Sequence, residues 1–322
     1  MIITKTPLRI SFTGGGTDLP DYYNINGGAV VSAGINKYIY ITVNPKFDHK
    51  IRVSYSETEI VDEVDELRHD IVKEAMRMVG IKGGIEITSI ADIPSGTGLG
   101  SSSTFAVGVL NALYTYAGVR PSAEELAKGA CDIEIEILKH PIGKQDQYAA
   151  AYGGMNYFEF NKDGSVLRKR IFLDEADARD MRQKLMLFYT GITRSADNVL
   201  KEQKKNTAGK LETLDFMKNQ AKEMSEILMT DGFDERFGTM LHEGWMKKQT
   251  LAGSISDSTI KGYYDKALEA GAVGGKLLGA GGGGFLLFYC DEDKQKMVEQ
   301  AVGLRRVDFH VSTNGSRVVF FE

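Results

Sequence analysis

The chain has 322 residues, 42% hydrophobic and 26% charged, an ordinary globular composition that can bury one large core or two modest ones. Its formal net charge of -5 excludes a general nucleic-acid binder, which needs a basic surface. No apolar run is long enough to span a bilayer and the N-terminus lacks the apolar core of a signal peptide, so the expectation is a soluble cytoplasmic protein with no membrane partner.

In chain order, residues 1–12 predict a strand running into the loop Gly14-Gly15-Gly16. Alternation at 29–43 and 50–55 predicts further strands of a mixed sheet. Residues 65–79 read as a helix and 84–90 as a strand. Then comes Pro-Ser-Gly-Thr-Gly-Leu-Gly-Ser-Ser-Ser at 94–103, followed by the Ala-, Val- and Leu-rich helical run 104–117. Gly96, Gly98 and Gly100 tolerate positive φ and let a ligand approach the backbone. The serines fall at a helix start, where unpaired N–H groups and the dipole favour an anion. The loop suits a di- or triphosphate, though a serine-capped turn without ligand has the same composition.

A helix is predicted over 122–139, with Ser122 and Glu125 at capping-box spacing and Pro141 beyond its end. At 100° per residue, Glu125, Lys128, Asp132, Glu136 and Lys139 share a polar face. Glu134 falls instead among Ala127, Ala130, Cys131, Ile137 and Leu138. A carboxylate on an apolar face needs a partner, either a buried cation or Mg²⁺, which takes one or two protein oxygens plus phosphate and water. Asp146 follows in a glycine-containing turn, where a cap is the alternative role. Strands are predicted at 153–160, 166–173 and 185–190. From 195 to 270 the chain is polar and helix-periodic, with breaks near Gly209, Gly232 and Gly253. The end returns to strand at 284–290, 307–312 and 317–321, with a helix at 293–302. Cys131 and Cys290 lie far apart in apolar segments and are expected as reduced thiols.

Two more glycine clusters stand out. Gly279-Ala280-Gly281-Gly282-Gly283-Gly284, preceded by Lys276, reads as a flexible loop or as backbone pressed on a ligand. In Phe12-Thr13-Gly14-Gly15-Gly16-Thr17-Asp18, the aspartate suits sugar hydroxyls or an Asx turn. There is no Walker-type GxxxxGK loop, no HExxH and no ligand spacing among the five histidines. Glycine loops with isolated carboxylates point to phosphoryl transfer.

Together these segments resemble the GHMP kinases (galacto-, homoserine, mevalonate and phosphomevalonate kinases). Residues 94–103 resemble that family's second motif, PxxxGLGSSxx; 276–285 resemble the third, and 7–22 the first. Ser103 stands where many relatives have Ala. The run 6–20 is similar to the branch containing heptose 7-phosphate kinases and, secondarily, L-fucokinases. Gly143-Lys144-Gln145-Asp146-Gln147 resembles the Gly-x-x-Asp-Gln segment of galactokinases, whose Asp is catalytic.

The resemblance implies a two-lobed α+β fold. A ribosomal S5 domain 2-like N-terminal domain would cover residues 1–180 and a ferredoxin-like C-terminal domain 181–322, with ATP and Mg²⁺ between them. It implies Asp146 as catalytic base or hydroxyl-orienting group and Arg9 as its basic partner. Pro94, Gly96, Gly98, Leu99, Gly100, Ser101, Ser102 and Ser103 would bind ATP, and Ser102 with Glu134 would hold Mg²⁺. Gly14, Gly15, Gly16, Thr17, Asp18, Gly281 and Gly282 would face the sugar. The expected reaction phosphorylates the anomeric hydroxyl of a sugar phosphate, a manno-heptose 7-phosphate; the alternative acceptor is an unphosphorylated sugar such as fucose. Arg194, after a strand and at a helix start, is the candidate clamp for the substrate phosphate, with Lys37 or Lys144 as substitutes. A catalytically inactive sugar or nucleotide sensor is the reading from another class, and retention of Arg9, Glu134 and Asp146 argues against it.

Overall fold

The computed structural model describes residues 1–193, 199, 201–202 and 209–322. The first sheet has eight strands: β1 Ile2–Thr13, β2 Gly28–Pro45, β3 Ile51–Ser54, β4 Thr58–Val61, β5 Ile85–Ala91, β6 Met155–Phe160, β7 Val166–Ile171 and the last strand of the chain, Arg317–Phe321. Strand β2 is long enough to serve two partners. Its first part, 28–33, pairs with β6, and its second part, 39–45, pairs with β5. The second sheet is antiparallel and has four strands in the order β11-β8-β10-β9. These are β8 Leu185–Tyr189, β9 Gly274–Leu277, β10 Phe285–Tyr289 and β11 Arg305–Arg306. The closing strand is β12.

The helices are α1 Pro20–Asn26, α2 Asp70–Val79, α3 Ser101–Tyr116, α4 Ala123–Cys131, α5 Gln145–Tyr152, α6 Glu175–Lys184, α7 Leu211–Thr230, α8 Glu235–Lys248, α9 Ser258–Glu269 and α10 Glu292–Val302. Helix α3 has apolar residues on every side and is buried from Ser103 to Leu113. Such a helix belongs inside, not at a surface. The α4 capping box forms as the spacing requires: Ser122 Oγ accepts from Glu125 N, and the Glu125 side chain accepts from Ser122 N.

Four expectations change. The helix expected over 65–79 begins at Asp70, because Val64–Glu66 forms a separate 3₁₀ turn. The helix expected over 122–139 widens into a π-wound segment at Asp132–Ile137. Its exit at Lys139 takes φ of 56°, so the chain leaves the helix just before Pro141. The strand expected at 307–312 is reduced to one bridge, Val311 to Ile35, beside the two-residue β11. Finally, β12 pairs antiparallel with β1, so a single cut near residue 180 does not separate the two sheets.

Helices α7 and α8 tie the sheets together. Met224, Leu228, Phe237 and Leu241 pack into the core of the first sheet, whereas Leu214, Met217 and Trp245 pack under the second. Burying side chains of this size contributes roughly 1.5–3 kcal/mol each. The lobes therefore share a continuous packed wall beside the cleft. Both cysteines are free and buried. Among the described residues no helix is long and apolar enough to cross a membrane.

Candidate active site

Strand β1 delivers the first functional side chain. Its register against β2 shifts between Pro7 and Arg9, and a bulge of this kind re-aims a side chain. The Arg9 backbone N–H donates across to Leu99 O at 3.0 Å. Its guanidinium then points into a cleft of about 860 Å³. Arg9 Nε donates to Asp146 Oδ1 and Nη2 to Oδ2, each at 2.7 Å, while Nη1 donates to Gly98 O at 2.6 Å. A bidentate, charge-assisted pair of this geometry fixes the carboxylate plane.

Asp146 lies in the first turn of α5, and that turn is anchored from the β1 side. Ser11 Oγ donates to Gln145 Oε1 at 2.6 Å, and Gln145 N donates to Asp18 Oδ2 at 3.3 Å. Asp18 also accepts from Gly16 N at 2.9 Å. Burial pushes its carboxyl up from the ordinary value, Asp146 adds to the rise, and the backbone donors Gly16 and Gln145 oppose it.

The glycine loop behaves as expected. Gly96, Gly98 and Gly100 all take positive φ, between 73° and 81°. Gly100 is the N-cap of α3, and no side chain caps the first turn of that helix. Its free N–H groups therefore face the cleft, with the buried and unpaired Ser101 Oγ beside them. Ser102 Oγ donates to Glu134 Oε1 at 2.6 Å, and Gln147 Nε2 donates to Glu134 Oε2 at 2.7 Å.

Glu134 is fully buried, and among the described residues it has no basic partner. Burial pushes its carboxyl up, against the hydrogen bonds from Ser102, Ser103 and Gln147. Glu134 faces inward not on a regular helix but because the π segment, with Ile133 and Ile135 also buried, is wedged against α2, α3 and α4. Among the described residues no group of three or more His, Cys, Asp or Glu side chains converges on one point. A carboxylate buried among neutral donors, with a serine hydroxyl on it and an open helix start alongside, fits a hard cation that takes its remaining oxygens from a phosphate.

Several expected contacts lie elsewhere. Gly15, Gly16 and Asp18 line the cleft, but Gly14 and Thr17 do not. A Cβ on Gly14 would stand 1.9 Å from Ala29 O, and Thr17 Oγ1 donates to Ala29 O at 2.9 Å and accepts from Ala29 N at 3.0 Å. Both therefore pack the loop onto β2. Leu99 is fully buried in the core and contributes its carbonyl to Arg9. Pro94, Gly96, Gly98, Gly100, Ser101, Ser102 and Ser103 line the cleft, as does Gly281; Gly282 does not, and its N–H donates to Ile255 O at 2.8 Å.

The glycine run presses mainly on protein. Added Cβ atoms on Gly281, Gly283 and Gly284 would meet the backbone of Ile255, Ile192 and Thr97 within 2.8 Å. Arg194 lies outside the described residues. Lys144 donates to Gly164 O at 2.6 Å, and neither it nor Lys37 lines the cleft.

Three features of the cleft were not read from the sequence, although Gln145 and Gln147 lie in the segment 143–147. Lys248, the last residue of α8, enters it and donates from Nζ to Gly279 O at 2.6 Å. Burial and then Arg9 pull its ammonium down to about 8, against Asp18 and Asp146. Gln145 and Gln147 position Asp18 and Glu134. One wall is aromatic: Tyr55 meets His69 edge-on at 4.7 Å, and His69 stacks on Phe105 at 4.8 Å. Lysine at a helix end and scattered aromatics look alike in sequence whether they face water or a cleft.

Comparison with known proteins gives the family of the chain. The GHMP kinases N terminal domain matches residues 68–154, and the GHMP kinases C terminal domain matches 227–305. The chain is 33% identical over 313 residues to a D-glycero-alpha-D-manno-heptose 7-phosphate kinase of Campylobacter jejuni, covering 91% of each. It is 28% identical to the L-fucokinase/L-fucose-1-P guanylyltransferase of Bacteroides fragilis, covering 94% of this chain and 35% of that protein. Its fold is similar to that of a D-glycero-D-manno-heptose 1-phosphate kinase from Bacteroides thetaiotaomicron, with a TM-score of 0.83, 25% identity and full coverage of both chains.

Proposed function

The chain belongs to the GHMP kinase family, as a sugar kinase, and on that premise we propose that it phosphorylates the anomeric hydroxyl of D-glycero-D-manno-heptose 7-phosphate with ATP. The observation that carries the reading is the Arg9–Asp146 pair, held in the cleft beside the uncapped start of α3. A carboxylate fixed at that point can accept or orient the proton of an attacking hydroxyl. The N–H groups of the first α3 turn, with Ser101, receive nucleotide phosphates. Phosphoryl transfer needs little more than such positioning and charge neutralisation.

Mg²⁺ fits the Ser102–Glu134 pair described above, and there it would neutralise phosphate charge. Arg9 holds the Asp146 carboxylate against rotation. Asp18, tied to Gly16 and Gln145, presents the remainder of its carboxyl to sugar hydroxyls. The heptose 7-phosphate assignment is supported by the relative that is 33% identical over most of both chains. In this reading the phosphate already on C7 is gripped by Arg194, and the new one is placed on C1. Cytoplasmic location accords with a substrate and donor that are both small, charged metabolites.

The test is ADP release by the purified protein across heptose 7-phosphate, free heptose, L-fucose and galactose, with ³¹P NMR of the product. Heptose 7-phosphate should be preferred by at least about tenfold in kcat/KM, in line with one charged contact. Equal turnover of fucose would replace the proposed acceptor with an unphosphorylated sugar. Nucleotide binding without turnover of any sugar would make the protein a sensor.

A further inference from the structure

We propose that Lys248 is a catalytic residue whose ammonium contacts the phosphoryl group in flight between the nucleotide and the acceptor oxygen. The inference rests on the kinase reading above but not on the identity of the sugar.

Its position comes first. A Cβ built on Gly15 would lie 3.8 Å from Lys248 Nζ and 4.0 Å from Gln145 Nε2, so the ammonium faces the sugar-side turn. Its hydrogen bond to Gly279 O at 2.6 Å ties it to the opposite side. Gly279 in turn packs on Gly98, whose carbonyl accepts from Arg9. The ammonium thus stands between the phosphate loop and the loop that carries Asp18, in the field of Asp146. A phosphoryl group passing from nucleotide to hydroxyl crosses that space.

Its unused bonding capacity comes second. An ammonium has three donors, and burial of unpaired donors is costly unless a ligand meets them. Lys248 is buried, yet among the described residues only Gly279 O accepts from it. The neighbouring cations are more fully committed. Arg9 spends three of its five donors, on both Asp146 oxygens and on Gly98 O. Lys276 Nζ donates to Ser11 O and Phe12 O, each at 2.8 Å. Lys248 therefore has the largest unpaired share of the cluster, two of its three donors, against two of five on Arg9 and one of three on Lys276. The groups that face it are Arg9 of β1, Asp18 of the following loop, Asp146 of α5 and Lys276 of β9. Burial, then Lys248 and Arg9, pull the Lys276 ammonium well down, so Arg9 and Lys248 are the cations that face the two carboxylates. The lowered Lys248 ammonium, at about 8, is what such crowding produces, and an arriving phosphoryl group would raise it again.

The test uses the full-length protein and whichever sugar the wild type phosphorylates best, so a wrong sugar assignment shows in the wild-type panel and leaves this question intact. Lys248→Met should lower kcat by at least about a hundredfold, the scale for losing one preorganised transition-state donor. KM for ATP and for sugar should stay within about threefold. Wild-type kcat/KM should decline above about pH 8, the value of the free protein, and the residual activity of Lys248→Met should lack that decline. Aminoethylation of Lys248→Cys should restore at least a tenth of wild-type kcat, since the native cysteines are buried.

If Lys248→Met does not fold, Lys248→Arg decides. A guanidinium does not titrate in this range, so the alkaline decline must vanish. Three results overturn the proposal: kcat of Lys248→Met within threefold of wild type, a rise in sugar KM at constant kcat, or the same alkaline decline in either variant.

Discussion

Gly98 and Gly279 are in backbone contact: a Cβ on Gly279 would lie 2.4 Å from Gly98 Cα, and one on Gly98 would lie 2.4 Å from Leu278 O. This contact joins the phosphate loop of the first lobe to the glycine run beside the second sheet. It explains why glycine is required at both positions, with φ of 81° and 78°. The run is primarily a joint between lobes, and the cleft is shaped by that joint.

Gly279→Ala should therefore destabilise the protein and loosen nucleotide binding together. Overpacking and left-handed backbone strain together cost about 2–5 kcal/mol. Tm should fall by several degrees and KM for ATP should rise. Gly303→Ala is the control: it has positive φ at the α10 end but nothing within 4 Å, so about 1 kcal/mol of stability and no change in KM are expected.

Asp146→Asn keeps the shape and removes the negative charge opposite Arg9. Turnover should fall at least about a hundredfold, the scale of a positioned acid–base group, while titrated MgATP affinity stays close to wild type. Near-normal kcat would remove Asp146 from the mechanism.

Glu134→Gln should abolish the response to Mg²⁺ without unfolding the chain. No buried cation is stranded, and Gln147 Oε1, buried and unpaired, can accept from the new amide. The sign of the pH effect follows from the raised carboxyl. A raised folded value means that the charged form opposes folding, so the penalty is present above that value and absent below the ordinary 4.5. Without Mg²⁺ the variant should therefore melt no lower than wild type at neutral pH and lose the wild-type decline in Tm that sets in as pH rises from about 4.5 to the raised value. Mg²⁺ with nucleotide should raise wild-type Tm and leave the variant nearly unmoved.

Thr17 and Asp18, adjacent in the chain, should separate in assay. Thr17→Val strands Ala29 N–H and C=O at the start of β2, which costs about 1–3 kcal/mol and should lower Tm with sugar KM unchanged. Asp18→Asn should raise sugar KM at least tenfold without lowering Tm at neutral pH, because burial and Asp146 already oppose the Asp18 charge. A Tm loss in Asp18→Asn with normal KM would give it a purely structural role.

Arg194→Ala should raise KM for heptose 7-phosphate by roughly ten- to a hundredfold, the loss of one charged hydrogen bond of about 1.5–3 kcal/mol. ATP affinity should barely change. An unchanged KM would remove Arg194 from the phosphate clamp; Lys37 and Lys144, the other expected candidates, do not line the cleft.

The sequence by itself determined the parts of this protein whose physics is local. The phosphate loop is contiguous: three glycines that must take positive φ, then serines at a helix start, so ten residues carry the whole signal. The Ser122–Glu125 capping box is equally local. Glu134 was legible because a carboxylate in an apolar pattern demands a partner, although the winding that buries it is not the regular helix assumed. Only the tertiary structure decided which chemically equivalent residues face the cleft. Gly14 packs on β2 while Gly15 lines the site; Lys247, the next-to-last residue of α8, stays outside the cleft while Lys248 enters it. β12 joins the first sheet by pairing with β1. These outcomes depend on contacts between distant segments, and residue type is the same on either side of such a choice. A glycine against a carbonyl and a lysine against Gly279 O acquire their roles only when packing brings the second partner to them.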